Sequence, residues 1–287
     1  MAESEKGSAS AQPDPVFARK QSSKNDENFP AQDGKFRVLR ASPASTQSKD
    51  SNILPKYLFP GEDRSLSGIA LRAFLLGVNA AGGLLLSLTL VYFQNRLWRP
   101  AFFIGTLCIF HFLEFWTTAR YNTPSAKTGS FLLTNGSQYR RAHSLALVET
   151  LITSYFFPGW QARVNPPWII ALGIVLILVG QVARSLAMVQ AGTNFNHQVQ
   201  SRKNEGHELV KDGLYAYFRH PSYFGFFWWG LGTQIALGNT FSFIAYSAIL
   251  WYFFKKRITN EEIYLVSFFG KDYEDYRART PVWIPFI

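Results

Sequence analysis

The sequence predicts an all-α protein, a multi-pass integral membrane helical bundle of about six passes, and three observations lead there. Long apolar runs recur from residue 69 onward. Aromatic residues make up 16% of the chain, and the net charge of +10 falls almost wholly on that same apolar part. Residues 1–66 instead hold ten Lys and Arg against nine Asp and Glu, with almost no apolar run. A basic, aromatic-rich body built of long apolar stretches argues against a soluble nucleic-acid binder. The single cysteine, Cys108, excludes a disulfide within the chain and a zinc site built on cysteines.

Residues 1–65 read as a polar, disordered cytosolic tail and 66–287 as the membrane domain. The tail is rich in Ser, Asp, Glu, Lys, Gln and Pro and buries too little apolar surface to offset chain entropy. It lacks the apolar core of a cleaved signal peptide and is too acidic for a mitochondrial transit peptide.

A helix needs about 20 apolar residues to cross the hydrocarbon core. Residues 69–93 meet that length, with Arg72 placed to snorkel to the interface. Residues 100–117, 142–157 and 167–189 follow, the last being the most uniformly apolar. Residues 223–237 and 241–254 are parted only by Gly238-Asn239-Thr240, which forces a tight antiparallel hairpin. Each arm is short of a full span, so it must borrow flanking residues or stop before the far leaflet.

Charge sets the expected orientation. Arg120, Lys127, Arg140 and Arg141 lie between passes two and three, and Arg202, Lys203, Lys211 and Arg219 between passes four and five. Lys255-Lys256-Arg257 follows pass six, whereas the other side holds Arg96, Arg99 and Arg163. The positive-inside rule then places both termini and residues 190–222 in the cytosol. The sequon at Asn135 lies on that side too and is expected to carry no glycan.

Ionisable groups within the passes are costly, so they are paired or functional. His111 and Glu114 stand three apart in the second pass, Glu149 lies in the third, and Arg184 in the fourth can neutralise one of these carboxylates. The richer region is 192–223. Its histidines, His197, His207 and His220, are spaced ten and thirteen apart, which matches no standard ligand pattern, and no metal is expected. Arg219-His-Pro-Ser-Tyr223 begins the fifth pass, with Pro221 suited to a first helical turn and Ser222 beside free backbone N–H groups. On local physics a plain helix start and a ligand site stay equally open there. If the sixth helix continues, Arg257 and Glu261 share one face, as an ordinary ion pair or as groups turned into a cleft. The hairpin brings Arg257 back towards His220–Tyr223. Residues 268–277 read as an amphipathic interfacial piece and 281–287 as an apolar end. Gly230-Leu-Gly232 only superficially begins a dinucleotide loop; without a preceding strand it reads as a close helix contact.

Asn194-Phe-Asn-His197, His207-x-Leu-Val210, Gly213-x-Tyr-x-x-Phe-Arg-His-Pro-Ser-Tyr223, Gly232-Thr-Gln and Arg257-x-x-x-Glu-Glu262 occur in that order, followed by Phe-Phe-Gly and Pro-Phe. Together they resemble the protein-S-isoprenylcysteine O-methyltransferase family over about residues 65–287, most densely from 190 onward. The resemblance implies an endoplasmic-reticulum membrane enzyme of CaaX processing. Such an enzyme methylates the C-terminal carboxylate of prenylated proteins, small GTPases and lipopeptide pheromone-like substrates among them, using S-adenosylmethionine and working among membrane lipids. By motif position it implies cofactor contacts from Gln200, His207, Glu208, Leu209, Val210, Tyr215, His220, Pro221, Ser222, Tyr223 and Glu261 in a cytosolic segment. Arg257 takes the catalytic, substrate-side place.

Relatives of other function share part of this pattern. A phospholipid N-methyltransferase would use the same cofactor on an amine and would not need an arginine facing a carboxylate. A sterol reductase would need a nicotinamide cofactor. A transporter or scaffold would leave the polar cluster at 194–223 without a purpose.

Overall fold

The computed structural model describes residues 55–287, so residues 1–54 of the tail expected over 1–65 lie outside the described residues. Every long element in it is a helix. Helix α1 (Leu66–Tyr92) begins on Ser65, whose Oγ accepts a hydrogen bond from the Gly68 amide at 3.2 Å. Helix α2 (Trp98–Tyr121) turns back against it, and Gly83 and Gly105 mark the crossing. A Cβ on Gly83 would sit 3.0 Å from the Gly105 amide nitrogen. Most of α1 otherwise presents apolar side chains outward, including Leu71, Phe74, Leu85 and Leu88.

Helix α3 (Gly136–Phe156) leads into a short helix, α4 (Pro158–Val164), that the sequence reading did not anticipate. Helices α5 (Pro167–Ala191) and α6 (Pro221–Leu237) each start with proline in the first turn, where the missing N–H leaves no intrahelical bond unmade. These two form the tightest pair in the molecule because glycines alternate across the contact. A Cβ on Gly180 would lie 2.5 Å from the Trp229 amide nitrogen, and one on Gly225 2.6 Å from that of Arg184. Gly232, set aside above as a dinucleotide lead, faces the Ile177 amide in the same way. Small residues let the backbones approach, and dispersion then holds helices that lipid would not drive together.

Helix α6 ends at Gly238, whose φ of +70° is left-handed, and α7 (Thr240–Phe269) runs back from the turn. Side chains from α3, from α4 and from Asn165 just beyond it satisfy several backbone groups of the turn, while the Oδ1 atoms of Asn165 and Asn239 are buried without a partner among the described residues. Glu149 of α3 accepts from the Phe241 and Ser242 amides at 2.9 and 2.7 Å, placing a carboxylate on the positive end of α7. Asn239 donates to the Ala146 carbonyl, Gln161 to that of Leu237, and Asn165 to those of Ile235 and Ala236. The hairpin tip therefore meets α3 in its middle, and α4 with the following turn closes beneath it. At 17 residues α6 is about 26 Å long, short of the hydrocarbon thickness.

Helices α1, α2 and α5 are long and apolar enough to cross a membrane. The expectation of about six passes adds α6, which is too short at 17 residues, and α3 and α7, which are long enough but not apolar enough. Helix α7 continues 15 residues past Phe254 before Gly270 stops it, and a last helix, α8 (Lys271–Arg279), folds back. The terminal residues pack inward through Val282 and Ile284, and Trp251 Nε1 donates to the Pro285 carbonyl at 2.8 Å.

Candidate active site

Residues 192–220 leave α5 at Gly192 and cross to the start of α6 at the bundle end opposite the hairpin tip. Side chains pin this segment to its neighbours. Asn194 accepts from the Glu208 amide, Asn122 of α2 donates to the Phe195 carbonyl, and Tyr276 of α8 donates to the Tyr215 carbonyl at 2.6 Å. Between the segment, the start of α6, the far half of α7 and α8 lies a cavity of about 830 Å³ with its open mouth included.

Gln200, His207, Glu208, Leu209, Val210, Tyr215, His220, Ser222, Tyr223 and Glu261 all line this cavity. Pro221 does not; it is buried as the first residue of α6, where it fixes the helix start. Asn194, Phe195, Asn196, Gln198, Arg219, Tyr264, Leu265, Phe268, Phe269, Tyr273 and Tyr276 also line it, and the sequence reading gave none of these a ligand role. The available signal was the pairing of Phe268-Phe269 with Tyr273 and Tyr276, three apart on one face of α8. Those rings form one wall of the cavity. The Tyr273 hydroxyl is buried and has no hydrogen-bond partner among the described residues.

Arg257 sits behind Tyr223 rather than in the cavity lining. Its Nε donates to the Tyr223 hydroxyl at 2.7 Å and its Nη2 to the His197 carbonyl at 2.6 Å. Tyr223 in turn donates to Glu261. The continuous α7 helix does place Arg257 and Glu261 on one face, yet they form no direct ion pair, because the Tyr223 hydroxyl stands between them. Arg257 also lies over the Tyr223 ring, 5.2 Å from its centre.

The two adjacent glutamates point to different partners. Glu262 accepts from Arg219 Nε at 2.8 Å and pairs with His220 Nε2 at 3.3 Å. Arg219 further donates through its guanidinium to the carbonyls of Arg277 and Thr280 and through its backbone amide to the Pro281 carbonyl, which ties the chain end to the site. Burial pushes the Glu262 carboxyl up, but His220 and Arg219 outweigh it and hold the group at about 2. Burial and the nearby Lys203 push the His207 imidazole below its ordinary value. Burial raises Tyr215 and Tyr273, and pushes Tyr276 up to about 12, so these hydroxyls keep their protons.

The three histidines do not converge. His197 pairs with Glu114 at 2.9 Å, His220 with Glu262, and His207 meets the rings of Phe268 and Phe269 edge-on. Among the described residues no group of three or more His, Cys, Asp or Glu could hold a metal ion. Below the site, Arg184 forms a two-pronged pair with Glu114, through Nε to Oε1 and through Nη2 to Oε2 at 2.8 Å. The expected neutralisation of a carboxylate by Arg184 thus falls on Glu114, while Glu149 caps α7 instead. His111, three residues before Glu114, bonds the Phe131 carbonyl and the Tyr139 hydroxyl.

Chemically, the cavity offers two carboxylates, Glu208 and Glu261, several hydroxyl and amide groups, and aromatic walls. That donor set suits a ligand combining a flat ring system with hydroxyl and ammonium groups. Beside it, Arg257 offers a guanidinium whose Nη1 makes no hydrogen bond among the described residues.

The model of the isoprenylcysteine carboxyl methyltransferase (ICMT) family matches residues 171–267. The chain is 43% identical over 209 residues to protein-S-isoprenylcysteine O-methyltransferase of Saccharomyces cerevisiae, covering 71% of this chain and 87% of that protein. To the Homo sapiens protein of that name it is 38% identical over 220 residues, covering 76% of this chain and 75% of the relative. A solved structure described as the eukaryotic intramembrane Ras methyltransferase ICMT without a monobody superposes with a TM-score of 0.73 at 38% identity, over 80% of each chain.

Proposed function

The chain belongs to the isoprenylcysteine carboxyl methyltransferase family, and we propose that its cavity holds S-adenosylmethionine while Arg257 receives the C-terminal carboxylate of a prenylated protein. The observation that carries this reading is the juxtaposition of two unlike sites across the Tyr223 ring. On one side is a polar, aromatic-walled cavity, and on the other a guanidinium with an unbonded nitrogen.

The cofactor assignment rests on the donor set. Glu261, the unpartnered Tyr273 hydroxyl and the amides of Asn194, Gln198 and Gln200 suit hydroxyl and ammonium groups, and Phe268 and Tyr264 suit a flat ring. When bound, S-adenosylmethionine supplies an electrophilic methyl group. A C-terminal carboxylate has an ordinary pKa of about 3.3–3.7, so it is ionised at neutral pH and needs no general base. The chain's own task is therefore orientation and exclusion of water, with reacting atoms about 3–3.5 Å apart. Arg257 binds the carboxylate through its planar fork. Tyr223 and Glu261 hold that fork's direction, and the α8 wall with the Arg219 latch closes the cavity.

The layout also accommodates two solubilities. The prenyl chain belongs in the bilayer and the charged cofactor arrives from water, so the site sits at the cytosolic end of the bundle, in the endoplasmic-reticulum membrane. Both termini lie on that side. The substrates are prenylated CaaX-type proteins.

The test is transfer of labelled methyl from S-adenosylmethionine by membranes containing this chain, with N-acetyl-S-farnesylcysteine and phosphatidylethanolamine offered together. Base-labile methyl ester on the farnesylcysteine is the expected result. Label confined to the phospholipid would overturn the reading.

A further inference from the structure

Both protein groups that fix Arg257 trace back to one buried ion pair deeper in the bundle. Its Nη2 is held by the His197 carbonyl and its Nε by the Tyr223 hydroxyl. The same His197 carries its ring to Glu114 Oε2 at 2.9 Å. Glu114 is 1% exposed and bonded through both oxygens to Arg184, and the remaining Arg184 nitrogen, Nη1, donates to the Ser222 carbonyl at 3.1 Å. Ser222 directly precedes Tyr223. The pair on α2 and α5 therefore grips the 192–220 segment through Glu114 and the first turn of α6 through Arg184.

We infer that Glu114 and Arg184 are positioning residues for the reaction, aligning Arg257 on the substrate carboxylate by fixing its two hydrogen-bond partners. This rests on the substrate-side role proposed for Arg257. A pair needed only for packing would call for nothing beyond mutual neutralisation. Burying two charges is costly, and apolar residues of similar volume often serve stability as well. Here every nitrogen of Arg184 and both oxygens of Glu114 are occupied, and each bond beyond the pair itself lands next to a group that touches Arg257. The distance sensitivity of in-line transfer gives such an arrangement its value. A misplacement of about 1 Å costs about 100-fold in rate without any contact to substrate being removed.

The experiment compares His197→Ala, His197→Gln and Glu114→Gln with the wild type in purified full-length protein. Three readouts are taken: methyl transfer to N-acetyl-S-farnesylcysteine, direct binding of S-adenosylhomocysteine, and thermal unfolding. His197→Ala leaves the buried Glu114–Arg184 pair intact, so the folded protein is expected to survive even where Glu114→Gln destabilises it. For both His197→Ala and Glu114→Gln, kcat/KM for the farnesylcysteine is expected to fall by about 100-fold. S-adenosylhomocysteine binding stays within about threefold. His197→Gln, whose side-chain amide can still donate to Glu114, recovers part of the loss. Unchanged kcat/KM in His197→Ala overturns the inference, as does loss of cofactor binding in proportion to activity. A wild-type protein that esterifies no farnesylcysteine overturns the underlying functional reading instead, so the two failures are told apart.

Discussion

At Arg257, hydrogen bonds leave from two different nitrogens of one planar group, to a hydroxyl and to a carbonyl. An ammonium is a point charge on a flexible stem and cannot hold that direction. Arg257→Lys is therefore expected to lower kcat/KM for N-acetyl-S-farnesylcysteine by about 100-fold or more. Near-wild-type steady-state kinetics in that variant would remove Arg257 from the substrate side. Glu262 carries a separate prediction. Its folded-state carboxyl, at about 2, lies below its unfolded value of 4.5. Its ionised partners thus add stability above pH 4.5 that is lost as pH falls towards 2. Thermal unfolding of wild type and Glu262→Gln should differ at pH 6 and converge over that window; a gap unchanged by pH would exclude the latch. The nearness of Arg257 to Tyr223 was legible from a three-residue turn and helix length alone. The Tyr223 hydroxyl standing between Arg257 and Glu261 was not, because helical spacing fixes a shared face and says nothing of a third group entering from another helix.

Helices α5 and α6 touch backbone to backbone at Gly180 and Gly225, where any Cβ would meet main-chain atoms. Gly225→Val is accordingly expected to force the pair apart and displace Arg184 from Ser222, at a cost of about 1–3 kcal/mol or more. Denaturation in detergent should reveal it; an unshifted midpoint would contradict the packing. At the other end of the bundle, Glu149→Ala removes the carboxylate from the first turn of α7, an expected loss of about 1 kcal/mol. The apolar segments were legible because hydropathy reports span length directly. The seven residues of α4 were not, since Pro158–Val164 includes Gln161 and Arg163 and lacks an apolar run. Its helicity follows from the buried hairpin tip, whose carbonyls require Gln161 and Asn165 as donors. Helix α8 was legible as amphipathic, but that Tyr273 and Tyr276 in particular line the cavity is a destination that periodicity cannot name.

Among the described residues, the ionisable groups tied to the site share one end of the bundle. Arg257, Glu261, Glu262, His207 and the Glu114–Arg184 pair gather at one end of the bundle, and the capped hairpin tip forms the other. Loop charge is the ground for the proposal that the site faces the cytosol. Asn135 should then remain unglycosylated when the chain is made in eukaryotic membranes, and an endoglycosidase-sensitive mass shift lost in Asn135→Gln would reverse the topology. Family and reaction were legible because ordered motifs survive in a linear chain, whereas the network beneath Arg257 joins residues more than 80 positions apart and emerges only in three dimensions. The account turns on the substrate being a carboxylate held by a guanidinium. The most direct measurement is competition for methyl transfer between N-acetyl-S-farnesylcysteine and its C-terminal carboxamide, in wild-type protein and in Arg257→Lys. The account predicts that the acid is methylated, that the amide competes weakly in the wild type, and that the preference for the acid collapses in the variant. Equal competition by acid and amide in the wild-type protein would contradict it.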